Sequence, residues 1–334
     1  MQTNEKKRYA NIFFELTKRH LLVFFSNKIT VLYTLLVPVI IFVVYILFLR
    51  DMELLTVQNE ILRLGVDADL QAGILDYCET LVDTWMLSGI IGLSTITVAL
   101  QANTIIVEDK QNGVNRDFAS SPIHKNVLIG SYFFYNFIVT ALICFVFFLI
   151  CLVYLAAMGE FAITFVDVLL VFAVMLYSTI ASTLMTVFIC SFVKTEATMM
   201  SIVAVFSTAV GFLIGAYMPL GMLPNAVQGV CGLIPGTYSC ALLRYGFMST
   251  PLAEFTAYVS GLPIEGGAQL IEDLTSNFGC GLNFFGVEVS APFQALALAV
   301  FIVLFLGLNV GVGNKLAAVL GMGKKGKKKG KSDK

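Results

Sequence analysis

Charge and histidine are scarce in this sequence. Charged residues make up 13% of the 334 residues, against about 25% in an ordinary soluble domain, and the net charge is −1. The two histidines, His20 and His124, do not form an HExxH zinc motif, and the seven cysteines include no CxxC pair. The composition therefore excludes an ordinary soluble domain, gives no support to nucleic-acid binding and leaves the common zinc sites without ligands.

Long apolar runs stand where the charges are missing. A helix needs about 20 apolar residues to cross a bilayer, and six runs without a charged residue meet that requirement. We therefore predict an all-α membrane protein with a single transmembrane domain, residues 1–334. Its predicted spans are Ile29–Leu49, Thr84–Val107, Val127–Met158, Val168–Val193, Ala197–Met218 and Phe293–Gly313.

The segment before the first span, residues 4–26, is amphipathic. Apolar residues such as Tyr9, Phe13 and Leu16 recur near helical spacing, and lysines and arginines lie between them. This pattern is typical of a helix in the membrane interface. The alternative is that these residues form the polar start of a longer first span.

A seventh charge-free run, Pro219–Leu243, contains three prolines and four glycines. A lipid-exposed helix with so many breaks would leave backbone groups unpaired in hydrocarbon. We therefore predict a re-entrant helical hairpin on the outer side, in which Pro224 and Pro235 begin two short helices. Arg244, directly after the run, is expected to snorkel toward water at the outer interface.

The charge distribution supports six spans with both termini in the cytoplasm. This topology places 18 of the 21 basic residues inside, including the lysine-rich tail 315–334, as the positive-inside rule requires. A seventh span would move the tail outside. The first outer segment, Arg50–Asp83, is acidic and predicted to hold a short helix or two, whereas the second, Ser249–Ala291, is predicted to be loop-like.

The predicted spans contain no charged residue at their centres, where ion-coupled carriers usually place one. Asp167 and Glu160 lie at the edge of a span and are interpreted as solvated ends. The serines, threonines and asparagines within the spans are expected to hydrogen-bond between helices. Energy for transport is therefore expected to come from a partner. Among the outer cysteines, Cys240 and Cys280 could form a disulfide. The sequence does not define which cysteines pair, so other pairings stay open.

Two segments resemble a known family. The pattern E-D-K-x-x-G-x-x-x-x-F-x-x-S-P from Glu108 to Pro122, followed by Gly130, resembles the cytoplasmic loop of ABC transporter permeases of the type-2 exporter family. The stretch Gly215–Met248 is similar to the outer re-entrant helices of that family. The long acidic first outer segment and the lysine-rich tail depart from the family pattern.

The resemblance implies that the loop 108–125 forms a coupling helix, which docks on a separate ATP-binding subunit. In that role Gly113 permits a sharp turn, Phe118 supplies an apolar anchor and Pro122 ends the helix. The residues assigned to ATPase coupling are Glu108, Asp109, Gly113, Phe118, Ser121 and Pro122. Those assigned to an outer gate in the re-entrant segment 219–248 are Pro219, Pro224, Pro235 and Arg244.

The function implied by the resemblance is that of the permease of an ATP-driven exporter in a plasma membrane, of the bacterial cytoplasmic type. This chain would bind no cofactor and catalyse no reaction, because ATP and Mg²⁺ belong to the partner subunit. A second copy or a paralogue would complete the pathway, surrounded by lipid. The expected substrate is hydrophobic or amphipathic: a drug, as in multidrug efflux, a peptide or a lipid-linked compound.

Three alternatives to this function stay open. The first is a polysaccharide or glycolipid exporter, which would share the same architecture. The second is a channel or secondary carrier without an ATPase. The third is an importer permease, whose usual E-A-A loop is absent here.

The predicted topology is testable by cysteine labelling of intact cells. A membrane-impermeant thiol reagent is expected to reach a Gly65→Cys variant and to miss a Ser332→Cys variant, because the lysine-rich tail would be cytoplasmic. The unsubstituted protein gives the background of the seven native cysteines. Efficient labelling of Ser332→Cys from outside would refute the six-span topology.

Overall fold

The computed structural model describes residues 2–121, 123–159, 163–218, 220, 223–278, 282–284 and 287–319. These residues are largely helical, with one π-helical turn, Tyr45–Leu49, and a small antiparallel hairpin of β1 (Leu282–Phe284) and β2 (Val287–Val289). The helices are α1 (Gln2–Ser26), α2 (Lys28–Val44), α3 (Arg50–Arg63), α4 (Ala68–Ala102), α5 (Thr104–Gln111), α6 (Val114–Ser120), α7 (Lys125–Met158), α8 (Phe165–Phe192), α9 (Glu196–Leu213), α10 (Asn225–Cys231), α11 (Pro235–Ser260), α12 (Gly267–Asn277) and α13 (Ala291–Val319).

Within the described residues, six helical segments are long and apolar enough to cross a membrane. They begin with α2, which runs on into α3, and α4, which runs on into α5; the others are α7, α8, α9 and α13. The predicted all-α membrane fold with six spans is confirmed. The second span is longer than its apolar run, because α4 starts at Ala68 and carries Asp69, Asp76 and Glu79 before its apolar part.

Helix α4 is the centre of the bundle. Every residue from Leu81 to Ala102 is buried, and α2, α7, α8 and α11 all pack against it. Two glycines allow close approach, as small residues do at helix contacts in membranes. Gly92 faces the thiol of Cys240 on α11, and Gly89 lies against the backbone of Ala216 after α9. The remaining helices are therefore arranged around one fully enclosed span.

Helix α1 is separate from the first span. It ends at Ser26, and the side chain of Asn27 accepts a hydrogen bond from the backbone N–H of Thr30 to cap α2. Phe24 is buried against α7 and its neighbours, whereas Phe14 and Leu22 are exposed. An exposed apolar side on a helix with a charged remainder suits the membrane interface. The amphipathic helix predicted over 4–26 is therefore confirmed, and the alternative of one continuous first span is wrong.

The proline-rich segment after α9 forms a bent helix pair. The axes of α10 and α11 differ by 97°, which is consistent with the predicted re-entrant element. Pro224 directly precedes α10, and Pro235 lies in the first turn of α11. At that position the N–H that proline lacks would have had no partner within the helix. The second helix is not short, because α11 continues for 26 residues to Ser260.

The segment predicted to be loop-like, Ser249–Ala291, is mostly structured. It contains the last turns of α11, then α12 and the β1–β2 hairpin. Phe255, Val259, Leu270 and Leu274 are buried in the same core cluster as the first half of α4. The prediction was wrong because the glycines of this segment concealed a helical repeat of apolar residues.

The close approach at Gly89 gives a test of the packing. A methyl group at this position would lie 2.8 Å from the carbonyl oxygen of Ala216, so Gly89→Ala is expected to lower the free energy of unfolding by about 1–3 kcal/mol. The matched control is Gly307→Ala in α13, where a methyl group meets nothing within 4 Å and helix propensity favours alanine. The measurement is thermal unfolding followed by the fluorescence of Trp85, the single tryptophan. Equal stability of the two variants would contradict this packing.

Candidate functional site

The coupling segment predicted from the sequence consists of two short helices with a glycine turn between them. Helix α4 ends at Ala102, Asn103 separates it from α5, and Gly113 has a φ of 79° before α6 begins. A side chain at Gly113 would meet nothing within 4 Å, so the turn requires glycine for its backbone alone. After α6, His124 caps α7.

Asp109 of α5 connects three helices. Its two carboxylate oxygens accept hydrogen bonds from the guanidinium of Arg19 on α1, at 2.6 and 2.7 Å. The hydroxyl of Tyr132 on α7 also donates to this carboxylate. Asp109 is only 5% exposed, and a buried carboxylate is stable in its charged form when a cation and hydrogen bonds surround it. The hydrogen bonds and charge of Asp109 raise the pKa of Arg19.

His20 fills the space behind this pair. Its ring stacks on Tyr132 with centroids 4.1 Å apart, and its Nε2 lies 3.3 Å from the hydroxyl of Ser131. Burial lowers the pKa of His20 to about 4, with the charge of Arg19 acting in the same direction. His20 is therefore neutral at ordinary pH, and Arg19 is the cation that faces Asp109.

The two residues after Asp109 connect α5 to two further helices, and the sequence analysis missed both. The Lys110 ammonium donates to the carbonyl oxygens of Cys190, Ser191 and Val193, at 2.7–3.1 Å, at the end of α8. Carbonyls in the last turn of a helix have few partners within the helix, and a cation at this end is favoured by the helix dipole. The Gln111 side-chain oxygen accepts from the backbone N–H of Glu196, 2.8 Å away, at the start of α9. Backbone donors and acceptors leave no signal in a sequence, so only the E-D-K pattern indicated this segment.

The other predicted coupling residues lie close to this junction. The Arg19 guanidinium lies over the ring of Phe118 on α6, 5.6 Å from the centroid. One face of the ring that was expected to dock on a partner is therefore covered by Arg19 of the same chain. The Ser121 hydroxyl donates to the carbonyl oxygen of Phe118. Glu108 is half-buried. Pro122, predicted to end the coupling helix, lies outside the described residues.

Arg244 is fully buried, so the prediction that it snorkels to the interface was wrong. Its guanidinium lies 4.9 Å from the ring centroid of Trp85 on α4 and donates to the carbonyl oxygen of Gly215, in the turn after α9. A desolvated cation over a tryptophan ring gains electrostatic attraction from the ring face. Arg244 therefore links α11 to α4 and to the end of α9. Pro219, assigned to the same outer gate, lies outside the described residues.

A second buried carboxylate, missed from the sequence, lies at the end of the bundle away from α5. Asp83 of α4 accepts hydrogen bonds from Tyr45, from Arg50 at 2.9 Å and from Tyr154 at 3.2 Å, and Arg50 also donates to Glu79 at 2.9 Å. Asp83 carries no recognisable signal in the sequence, because it ends the acidic segment Arg50–Asp83, whose charges are expected to face water.

Asp167 is likewise not a solvated end. It forms a capping box with Thr164 at the start of α8, and the hydroxyl of Thr250 on α11 donates to it at 2.7 Å. Glu160, interpreted in the same way, lies outside the described residues.

Cysteines and metal ligands contribute no further site in the described part of the chain. No group of three potential metal ligands occurs among these residues. Cys240 has a free, buried thiol beside Gly92, and Cys280, its possible disulfide partner, lies outside the described residues.

The Arg19–Asp109 pair is testable by a double-mutant cycle of Arg19→Met and Asp109→Leu. Because Asp109 is buried, the two substitutions are expected to be non-additive by about 1–3 kcal/mol in unfolding free energy. The exposed pair Arg63–Glu60, at 2.8 Å, is the control, and its coupling should stay below about 1 kcal/mol. Additive effects at Arg19 and Asp109 would show that the pair does not hold α1 on α5.

Comparison with known proteins agrees with this architecture. The chain matches the ABC-2 type transporter family over residues 11–248, which is more than two thirds of its length. The matched region includes α2 to α10, with the α5–α6 junction, and the buried Arg244. No match was found among curated protein sequences. This chain, with its central enclosed span and its short-helix junction, belongs to the ABC-2 type transporter family.

Proposed function

We propose that the chain is the permease subunit of an ATP-driven exporter, in which α5 and α6 receive the movement of a separate ATP-binding subunit. One observation carries the proposal: three consecutive residues, Asp109, Lys110 and Gln111, attach α5 to α1, α7, α8 and α9. A plain connecting loop has no need of such attachments.

These attachments provide a physical route for coupling. A displacement of α6 reaches α5 across a single glycine turn. From α5 it reaches α1, α7 and α8 through charge-assisted hydrogen bonds, and α9 through the neutral hydrogen bond of Gln111. Coupling needs an element with two arrangements that both sites bias. The α5–α6 unit meets this requirement if closure of the ATP-binding subunits moves it relative to the bundle.

The far end of the same helices carries the proposed outer gate. Helix α9 begins at the α5 junction, where Gln111 accepts from Glu196, and its other end is held by Arg244 through Gly215. A movement of α9 at the Gln111 end would therefore strain the contact between Arg244 and Gly215 at its other end. Pro224 and Pro235 give the bent pair its shape, and the outer opening would form as this contact loosens.

The charge pattern favours an external energy source over an ion-coupled carrier. Three carboxylates are buried within the described spans. Asp83 and Asp109 are each held by an arginine at 2.6–2.9 Å, and Asp167 is held by the hydroxyls of Thr164 and Thr250 at 2.8 and 2.7 Å. An ion-coupled carrier needs carboxylates that exchange their cation during transport. We therefore place ATP and Mg²⁺ on a partner subunit, with a second copy of this chain or a paralogue completing the pathway and lipid around both.

The proposed substrate is hydrophobic or amphipathic, such as a drug, a peptide or a lipid-linked compound. The described faces of α2 and α9 are apolar and largely exposed, with Leu32, Ile40 and Val205 among them. Such surfaces are compatible with a pathway for apolar molecules between two permeases. A polysaccharide or glycolipid exporter is the second candidate. Stimulation of ATP hydrolysis by drugs or by glycans distinguishes the two. The membrane is proposed to be a bacterial plasma membrane, with both termini cytoplasmic.

The proposal is tested by straining the glycine turn between α5 and α6. Gly113→Val forces a β-branched residue into a left-handed backbone, at a cost of about 1–3 kcal/mol. Substrate-stimulated ATP hydrolysis and export are expected to fall, together with cross-linking of an Asn115→Cys probe to the ATP-binding subunit. The matched control is Gly159→Val at the end of α7, where φ is 81° and a side chain also meets nothing within 4 Å.

Two further variants refine the outcome. Phe118→Ala should reduce cross-linking, because it removes an apolar contact from a small interface, whereas Asp117→Ala on the exposed side of α6 should have little effect. If Gly113→Val and Phe118→Ala both leave transport and cross-linking at the level of Gly159→Val, then α5 and α6 are only a connector. Failure to co-purify any nucleotide-binding partner would favour a channel or secondary carrier.

A further inference from the structure

A small cavity lies between α7, α8 and α13, at the end of the bundle that carries α5 and α6. Its volume is about 170 Å³. On its open side are Leu306 and Val310 of α13, which are 54% and 47% exposed on the lateral surface of the bundle. The lining consists of six apolar side chains, Gly130, the exposed Asn126 and the buried Asn309; the apolar side chains are Ile129, Phe133, Leu184, Val187, Leu306 and Val310. The cavity is therefore accessible from the side that faces lipid.

Asn309 is the polar group buried in this apolar lining. Its side-chain nitrogen donates to the carbonyl oxygens of Leu184 and Phe305, both at 2.9 Å, which uses both N–H groups and defines the orientation of the amide. Its Oδ1 is buried and has no hydrogen-bond partner among the described residues. A buried acceptor left unpaired costs about 1–3 kcal/mol, so this oxygen favours any molecule that brings a donor.

The size of the cavity limits the molecule that can satisfy Asn309. An apolar cavity of about 150 Å³ takes up one benzene molecule, and the present cavity is slightly larger. The apolar walls favour a ring or a short alkyl group of that size, and the acceptor requires one hydroxyl or N–H donor on it.

We propose that this cavity is a binding site for amphiphilic molecules that enter from the bilayer, with an apolar group of about benzene size and a hydroxyl or N–H donor bonded to Asn309 Oδ1. The site is separate from the α5–α6 junction and does not depend on ATP coupling. A ligand here would contact α7, α8 and α13 together, so it would stabilise their mutual arrangement.

The test compares two probes that differ by one donor, 4-propylphenol and propylbenzene. Purified full-length protein in detergent is unfolded thermally at increasing concentrations of each probe, with Trp85 fluorescence as the signal. The rise in midpoint with concentration gives an apparent affinity. The phenol is expected to bind about tenfold more tightly than the hydrocarbon, as one buried hydrogen bond allows.

Three variants assign this difference to the cavity. Asn309→Leu should remove the preference for the phenol. Val310→Phe should fill the cavity from its mouth and abolish the effect of both probes. Val303→Phe, on a 69% exposed residue of the same helix that does not line the cavity, should behave as wild type.

The proposal is overturned if wild-type protein responds equally to both probes, or to neither, which would leave water as the partner of Asn309. It is also overturned if Val310→Phe responds like Val303→Phe. Should Asn309→Leu fail to fold because its two amide bonds are lost, the comparison of the two phenylalanine variants still decides the outcome.

Discussion

The placement of charge inside a protein that is mostly apolar is the constraint on which this structure depends. A carboxylate away from water is stable only with a cation and hydrogen bonds around it. Asp109 satisfies this condition by drawing Arg19 from α1 and Tyr132 from α7 to one point, and Asp83 does so with Arg50 and Tyr154. The two ends of the enclosed helix α4–α5 are thereby attached to their neighbours by the interactions that are hardest to break in an apolar medium.

Between these charged ends, helix contacts rely on small and weakly polar residues. Asn136 of α7 donates to the carbonyl oxygen of Ala99 at 2.7 Å and accepts from Thr183 of α8 at 3.1 Å. Asn103 donates to Thr186 at 2.8 Å. Such bonds are individually modest, about 0.6 kcal/mol on average in a membrane protein. The middle of the bundle can therefore adjust its packing at lower cost than the charged ends, a property that suits the proposed transport function.

The sequence predicted the fold well because hydrocarbon imposes a simple rule. Runs without charge must be helices, and prolines such as Pro224 and Pro235 must begin helices or break them. What the sequence did not reveal were the partners. Lys110 bonds to carbonyls 80 and more residues away, and Arg244 is buried because Trp85 covers it. A lone arginine beside an apolar run carries no sign of such a partner, so the expectation that Arg244 snorkels to the interface was wrong.

The π-helical turn Tyr45–Leu49 has a consequence for how tolerant this region is to change. Such a turn is an α-helix with one residue inserted, and each residue rotates a helix by about 100°. Because of this insertion, α2 presents an exposed apolar surface while α3 turns Val57 and Ile61 into the core, and Arg50 meets Asp83. Deleting a single residue here would rotate α3 by about 100° about its axis and move Val57 and Ile61 away from the core. Lineages should therefore accept substitutions at the exposed positions of this turn, Leu47 and Phe48, far more readily than changes in its length.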